Sequence, residues 1–397
     1  MKKSNFKTKF LKICALCVSA VAVFGMFSAA SCDSGDSSVA PEKPSGGFKT
    51  NDEVRVTAVN FTVVNAESRG EYEKLPLTEI IENAQKSIVM LAVKTESATT
   101  TVSGVAIAAS DDGNDTYVVV PHKALVGAKT VTASASKKLQ TAEDEDKALE
   151  FSSDDGTLTP VGTDPQTDIC VIRLNGALPL AVICDDPDMS VGEPTVAVGN
   201  LLGDKNILST HGIISSDDYI ANVSEGKTAR YILTDAYSGS SAGGGVFYER
   251  GGYFAGLISS VSEFKQANIT CAVPASVIKD VAAAIIKDGY VEGRYKLGVS
   301  VADNRYSWGI TTGVEVTELA KDGSFYNDGN GLKTGDILRS ITFGGTTYSI
   351  NRAETFLYYV YNSNIKVGDI VYFQLERNRT QLTIAIEIKQ YNYFDYN

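Results

Sequence analysis

The chain has 397 residues, of which 43% are hydrophobic and 21% are charged, and its formal net charge at pH 7 is −12. This length and composition are typical of a globular protein with two or three domains. The acidic balance argues against a nucleic-acid partner, because such a protein needs a basic surface to contact phosphates.

The N-terminal residues have the pattern of a signal peptide. A lysine-rich start precedes an uncharged apolar run at 13–27, and small residues then lead to Cys32. We predict a signal peptide over 1–31 and lipidation at Cys32, which would make the protein a membrane-anchored bacterial lipoprotein of the cell envelope. Two alternatives stay open, because Ala29 stands where such a site usually has leucine. They are ordinary cleavage near Ala30 with secretion, and an uncleaved anchor.

Residues 32–55 are polar and rich in serine, glycine and proline, which predicts a flexible tether. From 56 to 289, short β-branched runs alternate with turn residues, and this pattern predicts an all-β barrel or sandwich domain. The predicted strands include 87–93, 105–107, 117–120, 169–174, 195–198 and 212–214. One short helix is predicted at 78–85. A second is predicted to be capped by Ser276, to be ended by Gly289 and to have an apolar face of Val277, Val281 and Ile285.

Only two histidines occur in the chain, and one of them has a catalytic context. His122 follows the apolar run 116–121, Asp168 precedes the apolar run 169–172, and Ser241 lies in the glycine-rich loop 238–245 (SGSSAGGG). In serine hydrolases with this chain order, the imidazole takes the serine proton and the carboxylate fixes the imidazole tautomer. His211 has no comparable context and is predicted to be structural or at the surface.

The glycine-rich loop also offers an oxyanion hole. The backbone N–H groups of Gly239 and Ser241 are predicted to form it, because glycine two positions before the nucleophile permits the necessary backbone conformation. The loop also fits the Gly-x-Ser-x-Gly elbow of α/β-hydrolases. That fold requires a histidine after the serine, and none lies beyond His211.

The remaining cysteines favour core packing over other chemistry. Cys170, Cys184 and Cys271 lie in apolar runs and are odd in number, so we predict small buried residues and no disulfide framework. No cysteine or histidine pair has the spacing of a metal site. We therefore expect neither a metal nor another cofactor.

A second domain is predicted over residues 290–397. It opens with 295–301 (YKLGVSV) and continues through 331–338 (GLKTGDIL) and a helical stretch at 353–360 to two strands at 370–375 and 382–386.

Several of these segments resemble the HtrA (Deg) family of trypsin-fold serine proteases with a C-terminal PDZ domain. The resemblance covers residues from about 78 to 390. It rests on 103–105 (SGV), 121–125 (PHKAL), 164–172 (DPQTDICVI), 191–200, 234–236 (TDA) and 272–274 (AVP). It implies a mostly β fold, with a trypsin-like double β-barrel followed by a PDZ domain, which is a β-sandwich with helices.

The resemblance weakens at the nucleophile. The family usually has Gly-Asn-Ser-Gly-Gly here, and two alignments compete. Alignment on Gly239 makes Ser241 the nucleophile, whereas alignment on 243–247 (GGGVF) puts Ala242 in that place and predicts an inactive enzyme. An ungapped count from Thr234 even places Gly243 there. We favour Ser241, because it keeps the oxyanion glycine.

The resemblance implies a serine endopeptidase that cleaves unfolded or exported proteins. The pocket for the substrate side chain is expected near 237–238 and 258–260. Leu297, Gly298 and Val299 would form the loop that binds peptide C-termini, and a helix with Phe356 and Leu357 would border the groove. Relatives often form homo-oligomers. The alternative is an inactive pseudoprotease that serves as a peptide-binding or protein-binding module at the cell envelope.

Overall fold

A computed structural model describes residues 59–65, 75–135, 148–185, 191–201, 206–222, 228–239, 243–259, 269–305, 311–326, 330–361 and 365–391. The predicted signal peptide, Cys32, the tether and residues 240–242, which include Ser241, lie outside these ranges. Most of the described elements are strands, so the prediction of a mostly β fold is confirmed. None of the described helices is long and apolar enough to cross a membrane.

The N-terminal half begins with nine strands, which are β1 (Val59–Phe61), β2 (Val63–Asn65), β3 (Ile88–Lys94), β4 (Thr99–Ser110), β5 (Thr116–Pro121), β6 (Thr130–Ala135), β7 (Leu149–Ser152), β8 (Leu158–Asp164) and β9 (Ile169–Leu174). Eight of them form one sheet in the order β7-β6-β3-β4-β5-β9-β8, and β1 pairs with β4. The predicted strands in this half are all present.

Strands β5 and β9 explain why this part of the sequence reads as unbroken apolar runs. In β5, Val118 and Val120 lie in the core inside the first sheet, whereas Tyr117 and Val119 lie in a core shared with the second sheet. Strand β9 alternates in the same way. Both faces of each strand are therefore buried, and neither face needs polar residues.

The second sheet contains seven further strands, which are β10 (Ile183–Asp185), β11 (Pro194–Gly199), β12 (Leu208–Asn222), β13 (Thr228–Thr234), β14 (Gly245–Tyr248), β15 (Phe254–Ser259) and β16 (Thr270–Pro274). Their order is β14-β11-β12-β13-β16-β15-β10-β2, and β14 also pairs with β15. That last pairing closes six strands into a barrel, which removes the exposed strand edges.

Three helices accompany these sheets, namely α1 (Leu77–Lys86), α2 (His122–Leu125) and α3 (Ala275–Asp288). The prediction that Ser276 caps α3 is wrong, because the helix already begins at Ala275 and no side chain caps it. The predicted end is confirmed, since Gly289 has φ +81° and its N–H bonds to Ile285 O at 2.7 Å. Val281 and Ile285 are buried on the apolar face.

The C-terminal part contains β17 (Val299–Arg305), β18 (Thr311–Leu319), β19 (Ile337–Phe343), β20 (Thr346–Ser349), α4 (Ala353–Tyr361), β21 (Ile370–Arg377) and β22 (Thr380–Glu387). The sheet order is β17-β18-β19-β21-β22, with β20 on β19. Phe325, Phe356 and Phe373 fill its core. Asp336, which is fully buried, accepts two hydrogen bonds of 2.7 Å from Arg377. The division into a first domain over 56–289 and a second domain over 290–397 stays a prediction.

Candidate active site

His122 lies at the junction of strand β5 and helix α2. The apolar pattern over 116–122 predicts His122 as the last residue of a strand, but β5 ends at Pro121 and His122 is the first residue of α2. Its backbone N–H donates to Asp168 O at 3.0 Å. His122 thus lies directly after a strand, and its backbone is hydrogen-bonded to the other predicted catalytic residue.

Asp168 lies in the turn between β8 and β9 with φ +59°, a left-handed conformation that aspartate adopts more readily than most residues. It is 1% exposed. Its Oδ1 accepts the N–H of Lys123 at 3.0 Å, and its Oδ2 accepts the hydroxyl of Ser259 at 2.5 Å. The buried carboxylate therefore has two strong donors, neither of which is the imidazole.

The ring nitrogen Nδ1 of His122 is bonded to a different residue. Thr163 Oγ1, at the end of β8, lies 2.7 Å from Nδ1 and also 3.1 Å from Ile169 O. No sequence pattern pointed to Thr163 or to the role of Ser259. Thr163 directly precedes the motif 164–168 (DPQTD), but a single threonine in a strand carries no catalytic signal.

The charges near the imidazole act in opposite directions. Burial lowers the pKa of His122 below its ordinary value, whereas the carboxylates of Asp168 and Asp164 raise it and Lys123 lowers it further. The net direction is downward. The neutral imidazole, which is the form that takes a proton, is therefore favoured at neutral pH. Nearby, burial and the charge of Asp168 raise the pKa of the Tyr231 hydroxyl.

Asp164, which begins the same turn, is fully buried and paired with a residue that follows helix α3. Arg294 donates from Nε to Oδ1 at 3.1 Å and from Nη2 to Oδ2 at 2.8 Å. Thr167 Oγ1 also donates to Asp164 Oδ2 at 2.9 Å. The turn that carries Asp168 is thereby held by a bidentate ion pair.

The end of the glycine-rich loop packs against β4. The N–H of Gly243 donates to Ile258 O at 2.9 Å, and that of Gly244 donates to Ser103 O at 2.8 Å. Gly243 has φ +104°, and a Cβ there would overlap Ser103 O. The glycines at 243 and 244 are therefore explained by close backbone packing.

The start of the loop is fixed by the Thr-Asp-Ala motif. Thr234 Oγ1 lies 3.0 Å from Thr195 Oγ1, Asp235 Oδ1 accepts the N–H of Ile213 at 2.7 Å, and Ala236 O accepts the hydroxyl of Thr270 at 2.6 Å. Residues 240–242 lie between these two anchored ends and outside the described ranges.

The other predicted site residues differ in their solvent exposure. Tyr237 is exposed, Ser238 and Ile258 are buried, and Ser260 lies outside the described ranges. His211 is exposed and pairs with Glu249 at 2.9 Å, as expected of a surface residue. In the described ranges, no group of three histidine, cysteine or acidic side chains is arranged to hold a metal ion.

The predicted peptide-binding loop precedes β17, which lies at the edge of its sheet. Leu297 is buried in the core, Gly298 has φ +68° and packs against Gly323, and Val299 is the first residue of β17. Phe356 of α4 is buried, whereas Leu357 is half-buried. Phe356 is therefore a core residue, and the position of Leu357 beside a groove stays a prediction.

Comparisons with known proteins agree with this architecture. Residues 102–257 match the family model described as a trypsin-like peptidase domain. A protein from Rickettsia conorii described as "Probable periplasmic serine endoprotease DegP-like" is 30% identical over 189 residues, which are 45% of this chain and 37% of that protein. Residues 102–257 are thus similar to a trypsin-like peptidase domain.

Two further proteins are similar to parts of this chain. A protein from Rhizobium meliloti with the same description is 29% identical over 189 residues, covering 46% of this chain and 37% of its own length. The chain thus spans little more than a third of the curated relatives it matches. The match to the crystal structure of the serine endoprotease from Yersinia pestis covers 79% of this chain and 98% of that protein's chain. The sequence identity is 21% and the TM-score is 0.48.

Proposed function

We propose that the protein is a serine endopeptidase in which Ser241 attacks the peptide bond, His122 is the general base and Asp168 stabilises the charge that forms on it. One observation carries the proposal. The Nδ1 atom of His122 is bonded to Thr163, and the buried Asp168 is tied to the backbone on either side of that imidazole. Such an arrangement leaves Nε2 to take the proton of a serine, for which we propose Ser241 of the glycine-rich loop.

The choice of Ser241 has support from the end of the loop. The N–H of the nucleophile must point into the oxyanion hole, but the N–H of Gly243 already donates to Ile258 O. Gly243 therefore does not suit the nucleophile position. Ser241, with Gly239 two residues before it, keeps the spacing that the chemistry needs.

The reaction then follows from the proposed roles. Ser241 Oγ attacks the carbonyl carbon while His122 Nε2 takes its proton, and the N–H groups of Gly239 and Ser241 stabilise the oxyanion. The imidazolium returns the proton to the leaving amine. Water deprotonated by His122 then hydrolyses the acyl-enzyme. Asp168 and Asp164 favour the imidazolium electrostatically, because both raise the pKa of His122.

The substrates and location are part of the same proposal. Relatives of the peptidase domain are described as periplasmic endoproteases, and this chain has an N-terminal signal pattern. We therefore infer export to the cell envelope, a lipid anchor at Cys32, and cleavage of unfolded or exported proteins. Homo-oligomer formation is proposed from the resemblance to the HtrA family.

The C-terminal part is proposed to be a PDZ domain that binds peptide C-termini. Gly298, with its left-handed backbone before edge strand β17, supports a loop of N–H groups that binds a carboxylate while the peptide adds a strand. We expect a hydrophobic peptide with a free C-terminus to bind at least tenfold more tightly than its C-terminal amide, as measured by fluorescence anisotropy. Equal affinity would contradict this assignment.

Hydrolysis of a fluorescently labelled unfolded protein tests the proposed activity. We expect turnover by the full chain, with hydrophobic C-terminal peptides present as activators, and a loss of at least a thousandfold in Ser241→Ala. Ser240→Ala is the matched control and should retain activity. Retained activity in Ser241→Ala would refute the nucleophile. No turnover by any form, together with peptide binding, would instead indicate the pseudoprotease.

A further inference from the structure

The imidazole of His122 has an unusual partner. In the usual serine-protease triad, the buried aspartate accepts the Nδ1 proton and so fixes the tautomer. Here the group at 2.7 Å from Nδ1 is the hydroxyl of Thr163. Thr163 is 3% exposed and lies opposite Cys170 in the β8–β9 ladder, so its position is set by the sheet.

The number of protons sets the direction of this hydrogen bond. A threonine hydroxyl has one proton to donate, and the backbone oxygen of Ile169 can only accept. Thr163 lies 3.1 Å from that oxygen and 2.7 Å from Nδ1. Both bonds exist together only if Thr163 donates to Ile169 O and accepts from His122. The proton is therefore on Nδ1, and Nε2 is left as the basic atom.

The carboxylate of Asp168 is occupied elsewhere. An ionised carboxylate only accepts, and its two oxygens receive the N–H of Lys123 and the hydroxyl of Ser259. Asp168 thus fixes the backbone next to the imidazole and supplies charge. In this arrangement it does not hold the ring.

We propose that Thr163 is the positioning residue that selects the reactive tautomer of His122, in the place that an aspartate usually has. The inference rests on the proposed role of His122 as general base. Thr163 does not touch substrate. It acts through the ring by holding the Nδ1 proton, while Asp168 and Asp164 supply the negative charge that compensates the imidazolium.

Nitrogen NMR of the imidazoles tests the proposal without requiring turnover. The full chain labelled with ¹⁵N-histidine gives signals from two rings, and the exposed His211 is an internal reference. At pH 8 we expect the His122 proton on Nδ1 in the wild type, in Thr163→Ser and in Asp168→Asn. In Thr163→Val, which keeps the shape of the side chain but lacks the acceptor, we expect Nδ1 to lose that preference.

Kinetics add a second readout. Thr163→Val should lower kcat by about tenfold to a hundredfold with little change in KM, and Thr163→Ser should restore it, because base catalysis contributes about a hundredfold or more. Circular dichroism checks folding, and Thr163→Ala replaces the valine variant if that variant fails to fold.

The proposal is overturned if Asp168→Asn moves the proton to Nε2 while Thr163→Val leaves it on Nδ1. It is also overturned if the proton stays on Nδ1 in both Thr163→Val and Thr163→Ala. Failure of the proposed function looks different. In that case Ser241→Ala has no effect on hydrolysis, or no hydrolysis occurs. The tautomers of His122 in the wild type and in Thr163→Val are still those expected above.

Discussion

At the scale of single residues, the reactivity of this site depends on which groups accept the protons around His122. Thr163 takes the Nδ1 proton, and Asp168 takes protons from a backbone amide and from Ser259. The sequence predicted His122 and Asp168 from their chain order. It could not predict Thr163, because that contact depends on the register between β8 and β9.

The pH profile should reflect the buried imidazole. Burial lowers the pKa of His122 from 6.5, so the neutral base persists below that pH. We expect the acid limb of kcat/KM to have its midpoint below pH 6.5.

Lys123→Gln should move that midpoint upward by a fraction of a pH unit, because the lysine charge lowers the pKa of His122. Lys129→Gln, which changes an exposed lysine paired with Glu96, is the control. A downward shift in Lys123→Gln would contradict the electrostatic account.

At the scale of elements, the nucleophile loop is held at both ends by backbone packing. The Thr-Asp-Ala motif anchors its start, and Gly243 and Gly244 pack on β4 and β11 at its end. Sequence patterns alone give no reason for three consecutive glycines at 243–245. The structure gives Gly243 a physical reason, since a side chain at position 243 would overlap Ser103 O.

Substitution of Gly243 measures this packing. Gly243→Ala combines a left-handed φ of +104° with a backbone overlap, so we expect a loss of about 2–4 kcal/mol in the free energy of unfolding. Gly113→Ala is the control, because Gly113 has φ +70° but open space around its Cβ position. It should cost about 1 kcal/mol. Denaturant midpoints compare the two variants, and equal losses would rule out the overlap.

At the scale of the whole molecule, the protein joins two β-sheets around a shared core and adds a third sheet after helix α3. The connection after α3 contacts the turn that carries Asp168, because Arg294 pairs with Asp164 while its backbone oxygen accepts the N–H of Tyr391. The same residue thus contacts the turn of Asp168 and the segment that follows the last strand.

Loss of this ion pair should destabilise the protein. Arg294→Met leaves the buried Asp164 without its cation, which should cost about 3 kcal/mol and lower the melting temperature. Arg230→Met removes a pair with Asp218 in which both side chains are exposed, and it should cost no more than about 0.5 kcal/mol. Calorimetry of both variants checks this difference. Similar melting temperatures would show that the buried pair does not stabilise the fold.

The sequence predicted much of this architecture, because its strands are short, apolar and bounded by turn residues. The helix end at Gly289 was also predicted, since a left-handed cap favours glycine. The start at Ser276 was wrong, because α3 follows directly from β16 through Pro274 and needs no capping side chain. Long-range contacts such as Arg294 with Asp164 leave no local pattern and were not predicted.

The most direct test of the central claim is labelling with a serine-reactive fluorophosphonate, with the adduct mapped by mass spectrometry. The full chain would be labelled with and without hydrophobic C-terminal peptides. We predict an adduct on Ser241 that disappears in His122→Ala, because the serine needs that imidazole to become nucleophilic. A folded protein that gives no adduct under either condition, or an adduct on Ser240 instead, would contradict the proposed site.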